Sequence, residues 1–98
     1  MHIISKSKLL EYYDKHAEAA EPLLRWYDVT MRAKWTNFND IKRDFPSADY
    51  VGNQHYVFNI KGNSFRLIVV IKFVPGLVFI RFVGTHAEYD KIIDCSLI

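Results

Sequence analysis

The chain has 98 residues, half of them hydrophobic, and a formal net charge of only +2. This length and composition predict one globular domain spanning residues 1–98 and exclude an intrinsically disordered chain. The single cysteine, Cys95, excludes an intramolecular disulfide, and no apolar run is long enough for a membrane span or a secretion signal, so we expect a cytoplasmic protein that makes no use of a membrane.

The first half of the chain has the periodicity of helices. Residues 2–5 are compatible with a short edge strand, and Ser5 or Ser7 is the expected N-cap of the helix that follows. A second helix is expected to begin at Pro22, because proline lacks the N–H that is unpaired at a first helical position. Its predicted apolar stripe comprises Leu24, Tyr27, Met31 and Trp35.

A short third helix and then a change of pattern follow. Asn37 or Asn39 can cap a last helical turn through residues 40–43. The segment Phe45-Pro46-Ser47 is expected to end this turn, since the residue before a proline is disfavoured in a helix. After residue 49, β-branched and aromatic residues alternate with polar ones, which predicts strands.

Two turn sequences divide this second half into hairpins. Gly62-Asn63 predicts a two-residue turn that pairs Asn59 with Arg66. Pro75-Gly76 predicts a second turn that pairs Arg66 with Thr85, so that Asn59, Arg66 and Thr85 form one cross-strand row. The further pairs expected across the second turn are Phe73–Val78, Ile71–Ile80, Val69–Phe82 and Val70–Arg81.

The period of two along these strands sorts the side chains onto two faces of a sheet. The apolar face is expected to contain Tyr56, Phe58, Ile60, Phe65, Leu67, Val69, Ile71, Phe73, Ile80 and Phe82. The opposite face is expected to carry His55, Asn59, Lys61, Arg66, Lys72 and Arg81. Because an apolar face must be covered, the sequence predicts an α+β fold, with the N-terminal helices packed on one face of a twisted, mainly antiparallel sheet.

The charges are unevenly distributed along the chain. Residues 1–49 carry eight Lys/Arg and eight Asp/Glu, whereas residues 50–87 carry four Lys/Arg and two histidines without any carboxylate. Arginines on adjacent strands with no acid nearby are suited to phosphate, which they bind through forked hydrogen bonds. The alternative is a solvated sheet face, on which Lys and Arg only discourage edge-to-edge pairing.

His86 stands at the end of the last predicted strand, ahead of a short helix or turn in which it shares a side with Tyr89. A histidine titrates near neutrality, so it is suited to proton transfer beside phosphate-binding arginines, although a lone histidine is more often structural. The chain has no nucleophile motif, no glycine-rich phosphate loop and no metal-ligand spacing, so neither a metal nor a nucleotide cofactor is expected.

Three segments resemble the HigB branch of the RelE-type bacterial toxins. They are residues 56–63 (YVFNIKGN), 65–69 (FRLIV) and 80–91 (IRFVGTHAEYDK), and the most specific part is Thr-His-Ala-Glu-Tyr-Asp at residues 85–90. Weaker similarity extends to the N-terminal Met-His-Ile-Ile and to residues 45–47, so that nearly the whole chain is covered.

The resemblance implies a RelE-like toxin fold and the toxin of a type II toxin-antitoxin system. Such a toxin is an endoribonuclease, or mRNA interferase, that cuts translated mRNA on the ribosome without a metal, by attack of the RNA 2′-hydroxyl on the adjacent phosphate. It also implies a HigA-type helix-turn-helix antitoxin as partner, in a toxin-antitoxin hetero-oligomer.

The resemblance also assigns roles to residues. It places Arg66 and Arg81 at the scissile phosphate, gives proton transfer to His86, and gives base stacking or proton transfer to Tyr89. The residues expected to bind the RNA are His55, Asn59, Lys61 and Lys72.

Two other interpretations remain open at this level. The same basic face could belong to a non-catalytic module that grips RNA or an acidic segment of a protein partner, with His86 and Tyr89 only capping the last element. The face could also be surface without a partner. Three aromatic residues could form core or an apolar patch for the antitoxin, and they are Trp26, Tyr27 and Trp35.

Overall fold

A computed structural model describes all 98 residues and contains four α-helices and five strands. The strands are β1 His2–Ile4, β2 Asp49–Gly52, β3 His55–Ile60, β4 Phe65–Lys72 and β5 Leu77–Thr85. The helices are α1 Ser7–Lys15, α2 Ala20–Arg32, α3 Phe38–Asp44 and α4 His86–Asp90. Short 3₁₀ turns cover Ala17–Ala19 and Cys95–Leu97. None of the helices combines the length and the apolar composition that crossing a membrane requires.

The five strands form one sheet in the order β1-β5-β4-β3-β2. Strand β1 is parallel to β5, and the other neighbours are antiparallel, so the predicted mainly antiparallel sheet is confirmed. The helices α1, α2 and α3 contribute Leu9, Leu23, Trp26 and Ile41 to the same core as the sheet. The predicted α+β fold is therefore confirmed, and the core lies between these helices and one sheet face.

The core face of the sheet is largely the predicted one. Eight of its ten predicted residues are in the buried core, and they are Tyr56, Phe58, Ile60, Phe65, Leu67, Val69, Ile71 and Ile80. Phe73 is partly buried against this core, but Phe82 does not belong to it. On the opposite face Val57 and Ile68 are buried outside the core cluster, so that face is not simply open to solvent.

The starts of α1 and α2 differ from the prediction. Lys6 stands at the N-cap of α1 and no side chain caps it, because Ser5 adopts a left-handed conformation (φ 71°) and Ser7 is already helical. Helix α2 begins at Ala20, directly after the 3₁₀ turn. Pro22 therefore lies two residues later, still within the first turn, where a missing N–H leaves no hydrogen bond unmade.

The buried stripe of α2 is rotated from the predicted one. Its buried residues are Leu23, Trp26 and Thr30, whereas Leu24 and Met31 are 44% and 46% exposed. Trp35 is buried, but it lies beyond the end of the helix. The prediction for α3 is better, because Asn37 caps it by accepting a hydrogen bond from the Asp40 amide at 3.1 Å. This helix ends at Asp44, before Phe45-Pro46, as expected.

The first hairpin has the predicted register. Asn59 pairs with Arg66, and Phe58 and Tyr56 pair with Leu67 and Val69. The turn is closed by a hydrogen bond from the Ser64 amide to the Lys61 carbonyl (3.1 Å), and Gly62 supplies the positive φ (62°) that the turn requires. The predicted register is confirmed, but the two-residue turn is wrong, because the strands end at Ile60 and Phe65, residues 61–64 form the loop, and Lys61 also has a positive φ (52°).

The predicted register of the second hairpin is wrong. Lys72 pairs with Leu77, and the Gly76 amide donates to the Lys72 carbonyl at 3.1 Å, so residues 73–76 form the loop. The centre of this loop lies one residue before the centre of the predicted turn at Pro75-Gly76. Further along, Val69 pairs with Ile80 but Ile68 pairs with Phe82, which leaves Arg81 as the extra residue of a β-bulge.

This bulge changes which residues face the core beyond Arg81. It moves Phe82 to the face opposite the core and brings Val83 onto the core. Arg66 consequently pairs with Gly84, and Thr85 pairs with Phe65, so the predicted row through Thr85 is wrong. The row is Asn59, Arg66 and Gly84.

Candidate functional site

The end of β5 and the start of α4 are fixed by a capping box. The Thr85 hydroxyl accepts from the Glu88 amide at 3.1 Å, and the Glu88 carboxylate accepts from the Thr85 amide at 2.8 Å. The hydrogen bond from the Thr85 amide lowers the pKa of the Glu88 carboxyl below its usual value. The next amide, of His86, donates to the Ser64 carbonyl in the β3–β4 turn at 3.1 Å. The backbone of His86 is therefore tied both to its own helix and to the neighbouring hairpin.

The His86 side chain projects into solvent from this fixed backbone. Its Nδ1 lies 2.9 Å from a carboxylate oxygen of Asp90, one helical turn later, and 46% of the side chain is exposed. The other ring nitrogen, Nε2, makes no hydrogen bond within the chain. The Nδ1 edge of the imidazole is thus held by Asp90, whereas Nε2 has no partner within the chain and can contact a ligand.

Tyr89 connects His86 with Arg66. The rings of His86 and Tyr89 meet edge to face at 6.5 Å, and the guanidinium of Arg66 lies 5.5 Å from the centre of the Tyr89 ring. Burial raises the pKa of the Tyr89 hydroxyl above its ordinary value, and the nearby Cys95 thiol adds to the effect. The hydroxyl therefore carries its proton at neutral pH. Arg66, Tyr89 and His86 form one contiguous group, which we call the α4 cluster.

Arg81 belongs to a different group. It is exposed at the bulge, and its Nε donates to the Ile98 carbonyl at 3.1 Å. Nε2 of His55 lies 2.7 Å from the same carbonyl oxygen, and Nδ1 of His55 lies 2.7 Å from the Asn53 carbonyl. The Asn53 amide group in turn donates to the Ser96 carbonyl at 3.0 Å. Residues 94–98, which we call the C-terminal segment, therefore lie over the sheet face opposite the core.

His55 is buried by this arrangement, with only 5% of its surface exposed. The structure thus places a predicted RNA-binding residue beneath the C-terminal segment, with both ring nitrogens next to carbonyl oxygens. Its role in binding RNA stays a prediction, and its contacts are those of a residue that holds the C-terminal segment on the sheet.

The other predicted RNA-binding residues are spread along the sheet. Asn59 is half-buried beside Arg66, and Lys61 is exposed in the hairpin turn next to it. Lys72 is at the other end of β4, where its ammonium group donates to the Gln54 side chain at 3.1 Å. Asn59 therefore adjoins the α4 cluster, whereas Lys72 does not, and Lys61 lines a cavity together with Glu18 and Pro22 near the start of α2.

The sequence pattern missed two carboxylates at this site. Residues 50–87 are free of acids, but α4 brings Asp90 beside His86 and Glu88 beside Thr85. Both could have been found, because Thr-x-x-Glu is the capping-box motif and His86 and Asp90 have the i, i+4 spacing of helical neighbours. The C-terminal segment carries no comparable pattern.

Comparison with known proteins identifies the family. A family model described as HigB_toxin, RelE-like toxic component of a toxin-antitoxin system, matches residues 19–92. The chain is similar to the mRNA interferase HigB of Escherichia coli O6:H1 (strain CFT073), with 34% identity over 94 residues that cover 94% of this chain and 91% of the relative. It is also similar to the mRNA interferase toxin HigB of Escherichia coli K12, with 31% identity over 93 residues that cover 92% of this chain and 88% of the relative. The resemblance is thus confirmed, and the chain belongs to the HigB family of RelE-like toxins, the toxic components of toxin-antitoxin systems.

Proposed function

We propose that this toxin is an endoribonuclease that cleaves mRNA during translation on the ribosome. The observation that carries the proposal is the α4 cluster, in which a guanidinium, an aromatic ring and a half-exposed imidazole lie side by side. The relatives named mRNA interferase support RNA as the substrate.

The proposed reaction needs no metal ion. The RNA 2′-oxygen attacks the adjacent phosphorus, the bond from phosphorus to the 5′-oxygen breaks, and a 2′,3′-cyclic phosphate and a 5′-hydroxyl are left. A base must take the 2′-hydroxyl proton, fixed positive charge must stabilise the pentacoordinate phosphorus, and the 5′-oxygen must receive a proton.

The α4 cluster contains groups of these types. Nε2 of His86 is free to exchange a proton with the reacting oxygens. The guanidinium of Arg66 can form forked hydrogen bonds with the phosphoryl oxygens. The Tyr89 hydroxyl is protonated at neutral pH, so it can donate a proton but is unsuited to the role of base, and its ring can stack on an unpaired base. Tyr89 therefore acts as stacking platform or proton donor in the proposed mechanism.

The remaining predicted residues extend the contact with RNA. Asn59 pairs with Arg66 of the α4 cluster, so we assign it to the nucleotides next to the cleaved bond, and we assign Lys61, which is exposed in the β3–β4 loop, to the RNA backbone. Arg81 and Lys72 lie further along the sheet and are assigned to more distant phosphates, where each contact adds a salt-dependent increment of affinity. Arg81 keeps its two terminal nitrogens for this, since only Nε is bound to Ile98. We assign His55 an indirect part, through the C-terminal segment that it supports.

The partner of a toxin in such a system is an antitoxin. We propose that it is a HigA-type helix-turn-helix protein that forms a hetero-oligomer with this chain. Co-purification with the product of a neighbouring helix-turn-helix gene, followed by a measurement of the mass of the complex, tests this proposal. Recovery of the toxin without that protein would contradict it.

The alternative is a non-catalytic module that binds RNA or protein through the basic face. The capping box supports this alternative, because it gives residues 85–88 a structural role that does not depend on catalysis. Only the endoribonuclease requires the side chains of His86 and Tyr89, whereas both interpretations require the cations. Substitution of His86 therefore discriminates between them.

Induced expression in a bacterial host tests the proposed function. The wild-type chain is expected to arrest growth and to shorten a translated reporter transcript but not the same transcript without a start codon. Arg66→Ala and His86→Ala are expected to do neither, while circular dichroism shows that they are folded. Arg32→Ala removes an exposed arginine of α2 that is paired with Asp28, and this control should remain toxic. Full toxicity of folded His86→Ala would contradict the catalytic role.

A further inference from the structure

Asp90 is an unexpected residue at a site that binds phosphate. Its carboxylate oxygen lies 2.9 Å from Nδ1 of His86, and both side chains are about half exposed (59% and 46%). A carboxylate repels the anionic substrate that Arg66 attracts, so at this place it costs affinity unless it acts through its neighbour. The neighbour is the proton-transfer group of the proposed mechanism.

A carboxylate beside one ring nitrogen of a histidine determines which nitrogen carries the hydrogen. When Nδ1 donates to Asp90, the neutral ring keeps its lone pair on Nε2, which is the nitrogen that makes no other hydrogen bond. The same carboxylate also stabilises the imidazolium that forms once Nε2 has taken a proton. Both effects favour a His86 that first accepts and then returns a proton at Nε2.

The His86 side chain is fixed at its backbone and also at its ring, which contacts Asp90. The His86 amide is bound to the Ser64 carbonyl (3.1 Å), and the preceding Thr85 is held by the capping box. The Asp90 carboxylate then limits rotation of the imidazole about its side-chain bonds. Without Asp90 the backbone of His86 would stay in place, but neither the orientation nor the tautomer of the ring would be set.

We infer that Asp90 is a positioning residue that holds the His86 ring with Nδ1 protonated and Nε2 directed to the RNA. The inference rests on the proposed function, because the positioning matters only if His86 transfers a proton. Asp90 itself does not touch the substrate in this scheme.

Nuclear magnetic resonance tests the positioning without any measurement of activity. Long-range proton–nitrogen spectra of the folded, full-length toxin report the tautomer of each histidine, and His86→Gln identifies the signals of His86. At a pH at which the nitrogen shifts show a neutral His86 ring, the wild-type ring is expected to be mainly the Nδ1–H tautomer. Asp90→Ala removes the acceptor and should shift His86 towards the Nε2–H tautomer, whereas Asp28→Asn, which breaks a similar exposed ion pair on α2, should not. An unchanged His86 tautomer in Asp90→Ala would overturn the inference.

The rate of cleavage of a translated reporter mRNA in a reconstituted translation reaction gives the second measurement. Loss of a proton-transfer group costs about a hundredfold or more, and Asp90→Ala leaves that group in place. We therefore expect Asp90→Ala to be slower than wild type but faster than His86→Ala, and Asp90→Glu to recover part of the rate.

The two failures are distinguishable. If His86→Ala cleaves at the wild-type rate, the proposed role of His86 fails and the positioning has no purpose. If His86→Ala is inactive but Asp90→Ala cleaves at the wild-type rate, the proposed function stands and the inference that catalysis depends on positioning by Asp90 is overturned, even where the tautomer shifts.

Discussion

The buried His55 gives the sharpest prediction on the role of a single residue. Its ring is 5% exposed and its two nitrogens lie 2.7 Å from the carbonyls of Asn53 and Ile98. Asn53 and Gln54 have left-handed backbone conformations (φ 52° and 63°), which are strained for residues other than glycine. His55 therefore stabilises both a strained connection between β2 and β3 and the C-terminal segment.

The loss of stability expected for His55→Ala follows from these contacts. Both ring nitrogens lie 2.7 Å from main-chain oxygens, so His55→Ala loses at least one net hydrogen bond, about 1 kcal/mol. The removed ring leaves unfilled space in a buried position, which adds about 1 kcal/mol or more. We expect the free energy of unfolding to fall by about 2 kcal/mol and the melting temperature by roughly 10 °C, given the size of the chain.

Urea denaturation followed by circular dichroism measures this loss. The matched control is His2→Ala, which removes an exposed histidine from β1 and should change the free energy of unfolding by less than about 0.5 kcal/mol. If His55→Ala is as stable as the control while its affinity for RNA falls, His55 is an RNA contact and the structural role is refuted.

Three further predictions concern the helices. Leu23 is fully buried and Leu24 is 44% exposed, so in urea denaturation Leu23→Ala should lose about 3 kcal/mol and Leu24→Ala less than about 1 kcal/mol; the reverse order would contradict the orientation of α2. Asn37→Ala removes the cap of α3 and should cost about 1 kcal/mol in the same assay, with recovery in Asn37→Asp. The pKa of Glu88 is lowered from 4.5 by the Thr85 amide, so the capping box should stabilise α4 fully above pH 4.5 and be lost as pH falls through the lower folded value. A carbon-13 carboxyl titration with a midpoint at or above 4.5 would contradict this.

The parts of the fold that the sequence predicted well have a strong local cause. Gly62 adopts the positive φ that the hairpin loop requires, and the loop then determines the register of β3 with residues 65–70 of β4. Asn37 and Phe45-Pro46 bound α3 in the same local way. In each case the residue type favours a local conformation that most other residues adopt less readily, so the local sequence is sufficient to define the structure.

The orientation of α2 lacked such a local cause. The predicted stripe starting at Leu24 and the observed one starting at Leu23 are one residue apart, which is a rotation of about 100°, and both contain an aromatic residue. The observed stripe also buries Thr30, whose hydroxyl has no hydrogen-bond partner. A prediction that places polar residues at the surface excludes this orientation of α2. Only packing against the sheet determines it.

The bulge at Arg81 was equally invisible in the sequence, and it changes how the two arginines of the predicted site can be interpreted. Arg66 sits in a regular row of the sheet, and its contacts are with Tyr89 and with the carbonyls of Asn63 and Phe65, so the effects of Arg66→Ala stay within the α4 cluster and the adjoining loop. Arg81 is aimed by the bulge at the Ile98 carbonyl, which it shares with His55. Arg81→Ala therefore removes a cation and also loosens the C-terminal segment, which includes Cys95 near Tyr89. Loss of activity in Arg81→Ala would consequently not place Arg81 at the cleaved phosphate by itself.

The double variant of Arg81→Ala with His55→Ala separates the loss of the cation from the loosening of the C-terminal segment. If both substitutions act only through the C-terminal segment, their losses of activity overlap. If Arg81 also binds RNA, the losses add.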